Sequence, residues 1–153
     1  MEKAVQVTKE QVRVSEETKE EAARKYTDTL VEKALQAERE FATFTQEQVD
    51  KIVNAAALAG SEAALELAHE AVDETGRGVV EDKDTKNRFA TENVYHSVKD
   101  DKTVGVIGED KVSGSVKIAS PLGVLAGIVP TTNPTSTAMF KSLISLKTRN
   151  AIV

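Results

Sequence analysis

The chain has 153 residues, of which 40% are hydrophobic and 29% charged, a composition typical of a single globular domain. It contains no cysteine, which excludes a disulfide framework, a cysteine metal site and a cysteine nucleophile within these residues. The net charge of −5 argues against a nucleic-acid partner, and the lack of a long apolar run or a secretory signal predicts a cytoplasmic protein without membrane contact.

The charge is distributed unevenly along the chain. Residues 1–103 carry 15 Lys/Arg against 23 Asp/Glu, whereas residues 104–153 carry 5 against 2 and hold all three prolines. This shift predicts a boundary near Thr103, between an acidic helical part and a less charged part that contains β-strands.

The acidic part has the apolar spacing of several helices. Residues 1–14 show no stable period and are predicted to be a flexible tail. Thr18 and Glu21 form a capping-box pattern, which predicts the start of a helix that runs to Phe41. Thr45 and Gln48 repeat the pattern at the start of a second helix.

Glycines then divide the remaining helical segments. Gly60-Ser61 is predicted to break the second helix, and the third helix is expected to end at Gly76-Arg77-Gly78, where glycine adopts the left-handed conformation at low cost. A further helix is predicted from about Asp84 to Val98, with Glu81–Asp84 as a solvated helix start. Phe89, Tyr95 and Val98 are expected to be its buried side chains.

After Thr103 the pattern changes to strands. Val104–Ile107 and Ser115–Ala119 are predicted to be short strands joined by a polar turn. Leu122–Val129 is an unbroken apolar run, which is typical of a central parallel strand covered on both faces. A helix from Pro134 to about Thr148 is then expected to cross back to a parallel strand that starts at Ala151.

The segment Pro130-Thr131-Thr132-Asn133-Pro134 is the candidate functional turn. In open α/β sheets, ligands bind beyond the carboxyl ends of the strands, where helix N-termini present free N–H groups. Asn133 suits an N-cap and Pro134 the first helical position, so the local pattern by itself favours a plain helix start. The glycine-rich dinucleotide fingerprint is absent. His69 and His96 have no second histidine at metal-ligand spacing, and no metal site is predicted.

Much of the chain from about Glu38 onward resembles the bifunctional aldehyde-alcohol dehydrogenase family. The segments that carry this resemblance are FTQEQVDKIVNAAALA (44–59), ETGRGVVEDKDTKNRFATE (74–92), KTVGVIGED (102–110) and GIVPTTNPTSTAMFKSLISLKTRNAIV (127–153). The last of these segments is the most specific, because it contains the whole candidate turn and the helix that follows.

The resemblance implies an aldehyde dehydrogenase-like α/β fold, which consists of N-terminal helices, extension strands and the start of a Rossmann-type domain that binds NAD. The corresponding parts are a flexible tail (1–14), an N-terminal helical part (15–103), extension strands used for oligomerisation (104–120) and the beginning of the NAD-binding unit (121–153). The NAD-binding unit would be truncated after its first strand–helix–strand, so the chain is interpreted as an N-terminal fragment.

The family's reaction converts acetaldehyde, CoA and NAD reversibly into acetyl-CoA and NADH in fermenting cells. The resemblance therefore implies NAD as cofactor, CoA as co-substrate and a small aldehyde as substrate, with iron only in the alcohol dehydrogenase half, which these residues lack. It also implies a homo-oligomer, since members of the family form filaments. Without the nucleophilic cysteine, the fragment alone is expected to be inactive.

The resemblance also implies the roles of the turn residues. Aldehyde dehydrogenases use an asparagine amide in this turn to donate to the alkoxide that develops during the reaction. Ungapped matching on the second proline puts Thr132 at that position, whereas Asn133 keeps the amide chemistry, so both are catalytic candidates. Val129, Pro130, Thr131 and Thr132 are the candidate cofactor-binding residues.

Two other functions remain open at the level of the sequence. One is a non-catalytic helical interaction module that binds partners through an exposed apolar face. The other is an aldehyde dehydrogenase-like enzyme that acts on a different aldehyde and has no alcohol dehydrogenase half.

Overall fold

A computed structural model describes the backbone of residues 2–153 and the side chains of residues 18–153. The helical part contains α1 (Glu2–Phe41), α2 (Gln46–Glu62), α3 (Ala64–Thr75), α4 (Val80–Arg88), a π-helical turn (Phe89–Asn93) and α5 (Val94–Val98). The second part contains β1 (Gly105–Asp110), β2 (Ser115–Ala119), β3 (Val124–Leu125), α6 (Pro134–Lys147) and β4 (Ala151–Ile152). Among the described residues, no helix combines the length and the apolar character needed to cross a membrane.

Helix α1 begins much earlier than the sequence pattern predicts. The structure places residues 2–14 in this helix, which corrects both the predicted flexible tail and the predicted helix start at Thr18. The segment contains neither glycine nor proline, which disfavour helices, and it contains Glu, Lys and Gln, which favour them. This composition is compatible with a helix from residue 2 onward. Met1 lies outside the described residues.

Helix α2 begins at the predicted capping box. The Thr45 hydroxyl accepts from the Gln48 backbone N–H, and the Gln48 side chain accepts from the Thr45 backbone N–H. The helix passes through Gly60-Ser61 and ends at Glu62, so the predicted break is wrong by a few residues. The next helix, α3, ends as predicted at Gly76, which has a φ of 62° and closes the helix with a bond to Val72.

The segment from α4 to α5 differs from the prediction in where its first helix starts and in which of its side chains are buried. The helix starts at Val80 rather than Asp84, and Phe89 is 62% exposed, whereas Tyr95 and Val98 are partly buried. Lys83, Asn87 and Thr91 are buried instead. Because these buried residues of α4 and the π-helical turn are polar, apolar spacing in the sequence does not identify the buried face.

The two predicted short strands are present as β1, which runs on to Asp110, and β2. They pair antiparallel, with a register shift between Val106 and Gly108. Asp110 closes its turn by accepting hydrogen bonds from the Ser113 hydroxyl and from the backbone N–H groups of Val112 and Ser113. These bonds favour the ionised carboxylate and hold the pKa of Asp110 below its usual value.

Strands β3 and β4 pair in parallel, as the apolar run predicts. Backbone hydrogen bonds extend this pairing from Gly123, which accepts from Ala151, to Gly127, which donates to Val153. The strand is shorter than the predicted Leu122–Val129, and Ile128 is 81% exposed rather than covered. The last backbone bond of this pairing is the one from Gly127 to Val153.

The apolar core lies between α2 and α6. Val49, Val53 and Ala57 of α2 pack with Leu143 of α6. Partly buried apolar side chains from other segments, among them Phe41, pack against this cluster. The end of α6 is fixed by a buried cation, since the Lys147 ammonium contacts the Asp50 carboxylate at 2.7 Å and donates to the Lys99 carbonyl at 2.9 Å. These contacts anchor the C-terminal end of α6, and the candidate turn precedes its N-terminal end.

Candidate functional site

The candidate turn connects β3 to α6 at the carboxyl end of the parallel strand pair. Val129, Pro130, Thr131 and Thr132 are exposed, and Asn133 is partly buried. The Asn133 backbone N–H donates to the Pro130 carbonyl at 3.2 Å and closes the turn before Pro134 starts the helix. The structure therefore brings all the predicted site residues to one accessible edge.

Three lysine side chains donate hydrogen bonds to oxygen atoms in the turn and just before it. The Lys141 ammonium donates to the Ile128 carbonyl at 2.6 Å, before the turn. The Lys83 ammonium donates to the Thr132 carbonyl at 3.0 Å, and the Lys86 ammonium donates to the Asn133 side-chain oxygen at 3.1 Å. These contacts anchor an exposed turn to two helices.

Asn133 occupies the N-cap position of α6, but its side chain does not cap the helix. Its backbone has φ −142° and ψ 63°, and its side chain accepts no bond from the first turn of α6, so the predicted capping role is wrong. The side-chain oxygen is engaged by Lys86 instead, and Nδ2 lies 3.4 Å from the Thr132 hydroxyl. Because a side-chain amide nitrogen carries two hydrogens, Asn133 retains donor capacity on that side.

An open, mostly apolar groove of about 610 Å³ begins beside Asn133. It lies between α6 and the segment that runs from α4 through the π-helical turn to α5. The residues that line it are Thr85, Lys86, Phe89, Ala90, Val94, Asn133, Ser136, Thr137 and Phe140. The arrangement thus puts an amide donor at the edge of an apolar groove, which suits a small ligand with a carbonyl oxygen at one end.

Several residues of this site are not predicted by the sequence pattern. Lys83 lies in a segment that reads as a solvated helix start, and Phe89 is predicted to be buried rather than to line a groove. The sequence does contain one signal for these residues, which is the spacing of Lys83, Lys86 and Asn87. Positions i, i+3 and i+4 lie on one face of a helix. That spacing does not reveal which element the face contacts.

The described residues contain no group of His, Cys, Asp or Glu side chains that is arranged to hold a metal ion. His69 lies in α3 beside a separate shallow pocket, and His96 contacts the ring of Tyr95.

Comparison with known proteins places these features in a family. The family model described as "Aldehyde dehydrogenase family" matches residues 4–153. The chain is 61% identical over 126 residues to the bifunctional aldehyde-alcohol dehydrogenase of Escherichia coli (strain K12), covering 82% of this chain and 14% of that protein. It is 59% identical over 140 residues to an aldehyde-alcohol dehydrogenase of Streptococcus pneumoniae serotype 4, covering 92% of this chain and 16% of that protein.

Solved structures agree with the sequence matches. An acetylating aldehyde dehydrogenase from Geobacillus thermoglucosidasius superposes with a TM-score of 0.82 at 49% identity, over 84% of this chain and 28% of that chain. An engineered glycolyl-CoA reductase with bound NADP⁺ matches with a TM-score of 0.64 at 29% identity, over 82% of this chain and 28% of that chain.

The chain spans about 14–16% of the length of the two curated relatives described above. The resemblance to the aldehyde-alcohol dehydrogenases and the aldehyde dehydrogenase-like fold are both confirmed by these matches. The chain belongs to the aldehyde dehydrogenase family.

Proposed function

We propose that this chain is part of a CoA-acylating acetaldehyde dehydrogenase within a bifunctional aldehyde-alcohol dehydrogenase. The observation that carries the proposal is the identity of 61% to a bifunctional aldehyde-alcohol dehydrogenase and of 59% to an aldehyde-alcohol dehydrogenase, over most of this chain. The Pro130–Pro134 turn, with its amide donor beside an apolar groove, fits the same reaction.

In this reaction a thiolate adds to the carbonyl carbon of acetaldehyde, and the carbonyl oxygen becomes an alkoxide. Since this sequence has no cysteine, we assign the thiolate to the rest of the enzyme. Asn133 Nδ2 is the donor that we assign to the alkoxide, and Thr132 is the alternative donor from the same turn. A fixed donor of this kind stabilises the charge that develops in the transition state.

The methyl group of acetaldehyde fits the apolar groove. Phe89, Ala90 and Val94 provide one wall, and Phe140 of α6 provides the other. An apolar wall beside one amide donor orients a short aldehyde with its oxygen toward the turn. The apolar lining of the groove thus supports an alkyl aldehyde as substrate.

The turn also fits a nicotinamide cofactor. Its exposed backbone and the Thr131 and Thr132 hydroxyls lie at the carboxyl end of a parallel strand, which is where dinucleotides bind in open α/β sheets. We assign Val129, Pro130, Thr131 and Thr132 to contact with NAD, which supplies a hydride acceptor when it is bound. CoA is the proposed acceptor of the acyl group.

We extend the proposal to the rest of the enzyme by the same resemblance. Residues 104–120 are the proposed oligomerisation strands of a homo-oligomer, residues 15–103 the helical part, and residues 121–153 the beginning of the NAD-binding unit. Iron belongs to the alcohol dehydrogenase half. The proposed setting is fermentation in the cytoplasm.

The proposal is tested with the complete enzyme that carries this segment. NADH formation from acetaldehyde is measured with and without CoA, and the same assay is repeated with aldehydes of increasing chain length. We expect a rate that depends on CoA and falls for bulky aldehydes. A rate that is equal with and without CoA would contradict the acylating function.

A further inference from the structure

Helix α4 presents three polar side chains to the candidate turn. Lys83, Lys86 and Asn87, which we call the α4 polar face, occupy positions i, i+3 and i+4 of the helix. Lys83 contacts the Thr132 carbonyl, Lys86 contacts the Asn133 side chain, and the Asn87 side-chain oxygen accepts from the Thr135 hydroxyl at 2.7 Å. One helix face therefore contacts three positions along the turn and the first turn of α6.

Two members of the α4 polar face are buried and fix its position. Asn87 is fully buried, and its amide nitrogen donates to the Ala64 carbonyl at 2.9 Å, which ties α4 to α3. Lys83 is only 5% exposed, so loss of its bond to the Thr132 carbonyl would leave a buried ammonium with poor solvation. Both contacts resist movement of the turn relative to α4.

Lys86 has a different role because it touches the amide itself. An ammonium group only donates hydrogen bonds, and the oxygen is the only acceptor in an asparagine side chain. The contact of 3.1 Å between Lys86 Nζ and Asn133 Oδ1 therefore turns the amide nitrogen away from Lys86. Donation to the oxygen also polarises the amide and makes its N–H groups better donors.

We infer that Lys86 is a positioning residue, which orients the Asn133 amide so that Nδ2 faces the developing alkoxide. The inference rests on the proposed function of Asn133. Lys86 also lines the groove, and the role assigned to it here is exerted through the Asn133 amide. Lys83 and Asn87 hold the backbone beneath the amide. The α4 polar face, which belongs to the helical part, thus determines the orientation of the Asn133 amide in the turn that follows β3.

The test uses variants of the complete enzyme. Lys86→Met removes the donor and keeps the length of the side chain, Lys86→Arg restores a donor, and Lys25→Met is a matched control at an exposed lysine of α1. We expect Lys86→Met to lower kcat by up to roughly 10²-fold, the cost of misplacing a catalytic group by about 1 Å, with little change in the KM for NAD or in the melting temperature. Lys86→Arg should recover most of the rate, and Lys25→Met should match the wild type.

A double-mutant cycle with Asn133→Ala separates positioning from a general structural effect. If Lys86 acts through the amide, Lys86→Met should not slow an enzyme that already carries Asn133→Ala. Additive losses in the double variant would overturn the inference, as would a normal kcat for Lys86→Met.

A crystal structure of the Lys86→Met enzyme distinguishes failure of this inference from failure of the proposed function. We expect the Asn133 side chain to occupy more than one rotamer without its ammonium partner. A single unchanged rotamer would overturn the inference whatever the kinetics show. Normal turnover of Asn133→Ala alone would instead contradict the proposed catalytic role of Asn133.

Discussion

Asn133 and Thr132 are adjacent in the turn, but their side chains have different surroundings. Asn133 is partly buried at the edge of the groove, and its oxygen is engaged by Lys86. Thr132 is exposed, and its backbone carbonyl rather than its hydroxyl accepts from the buried Lys83. These surroundings favour Asn133 as the donor, although the ungapped match to the family pattern favours Thr132.

We predict that Asn133→Ala lowers the turnover of the complete enzyme by roughly 10²–10³, the usual effect of losing one such donor. Because the side chain does not cap α6, the same change should leave the melting temperature nearly unchanged. Steady-state kinetics and thermal unfolding of the Asn133→Ala and Thr132→Ala variants check both statements. A slow Thr132→Ala enzyme beside a normal Asn133→Ala enzyme would reverse the assignment.

Gly60 provides a prediction about packing. A Cβ added at Gly60 would lie 2.6 Å from Cγ2 of Thr91, which is buried and held by hydrogen bonds to the Asn87 and Arg88 carbonyls. Gly60→Ala should therefore destabilise the fold by about 1–3 kcal/mol, the usual cost of overpacking. The measurement is the melting temperature of the enzyme.

Gly108→Ala is the control for this packing prediction. At Gly108 an added Cβ would meet Lys117 Cδ at 3.6 Å, an ordinary van der Waals distance. Equal melting temperatures for the Gly60→Ala and Gly108→Ala enzymes would show that α2 and the π-helical turn can move apart without cost.

At the scale of single residues, the sequence predicts where a residue lies in its helix or turn better than it predicts which residues its side chain contacts. Asn133 and Pro134 are correctly placed at the start of α6, because N-cap and first-turn preferences are local. The partners of Asn133 and Thr132 are lysines of α4, which lie 47 and 49 residues earlier in the chain, respectively. Such long-range pairs leave no local pattern, so the sequence indicates the turn but not what orients it.

At the scale of elements, the strongest local signals are confirmed. The capping box at Thr45 and the left-handed glycine at Gly76 mark the start of α2 and the end of α3 as predicted. The predictions that are wrong concern α1, which propensity extends to Glu2, and α4, whose buried face is polar. Strand β3 is shorter than its apolar run because strand length depends on a partner strand as well as on composition.

We predict that Thr45→Ala destabilises the enzyme by about 1 kcal/mol, the typical cost of removing an N-cap side chain. The substitution removes the oxygen that accepts from the Gln48 backbone N–H. Thr45→Ser keeps that oxygen and should behave almost like the wild type. Chemical denaturation of both variants checks this, and equal losses for Ala and Ser would show that the cap contributes nothing.

At the scale of the whole molecule, the described surface leaves several apolar side chains uncovered. Leu122 is 87% exposed, Ile128 is 81% exposed, and Val112 at the tip of the hairpin is 99% exposed. The pair β3–β4 also has open edges, which favour pairing with other chains. These surfaces are consistent with a segment that packs against further parts of an enzyme.

We predict that the isolated 153-residue chain associates in solution and forms no NADH from acetaldehyde and CoA. Association follows from the uncovered apolar residues, and inactivity follows from the lack of a cysteine thiolate. Analytical ultracentrifugation and an NADH assay against a heat-treated control measure the two properties. A monomeric sedimentation profile or activity above the control would contradict the corresponding statement.

We propose above that this segment belongs to an enzyme that transfers an acyl group to CoA. The most direct measurement is mass spectrometry of the products that the complete enzyme forms from isotopically labelled acetaldehyde in the presence of NAD and CoA. We expect labelled acetyl-CoA, formed together with an equal amount of NADH. Labelled acetate in place of acetyl-CoA would contradict it.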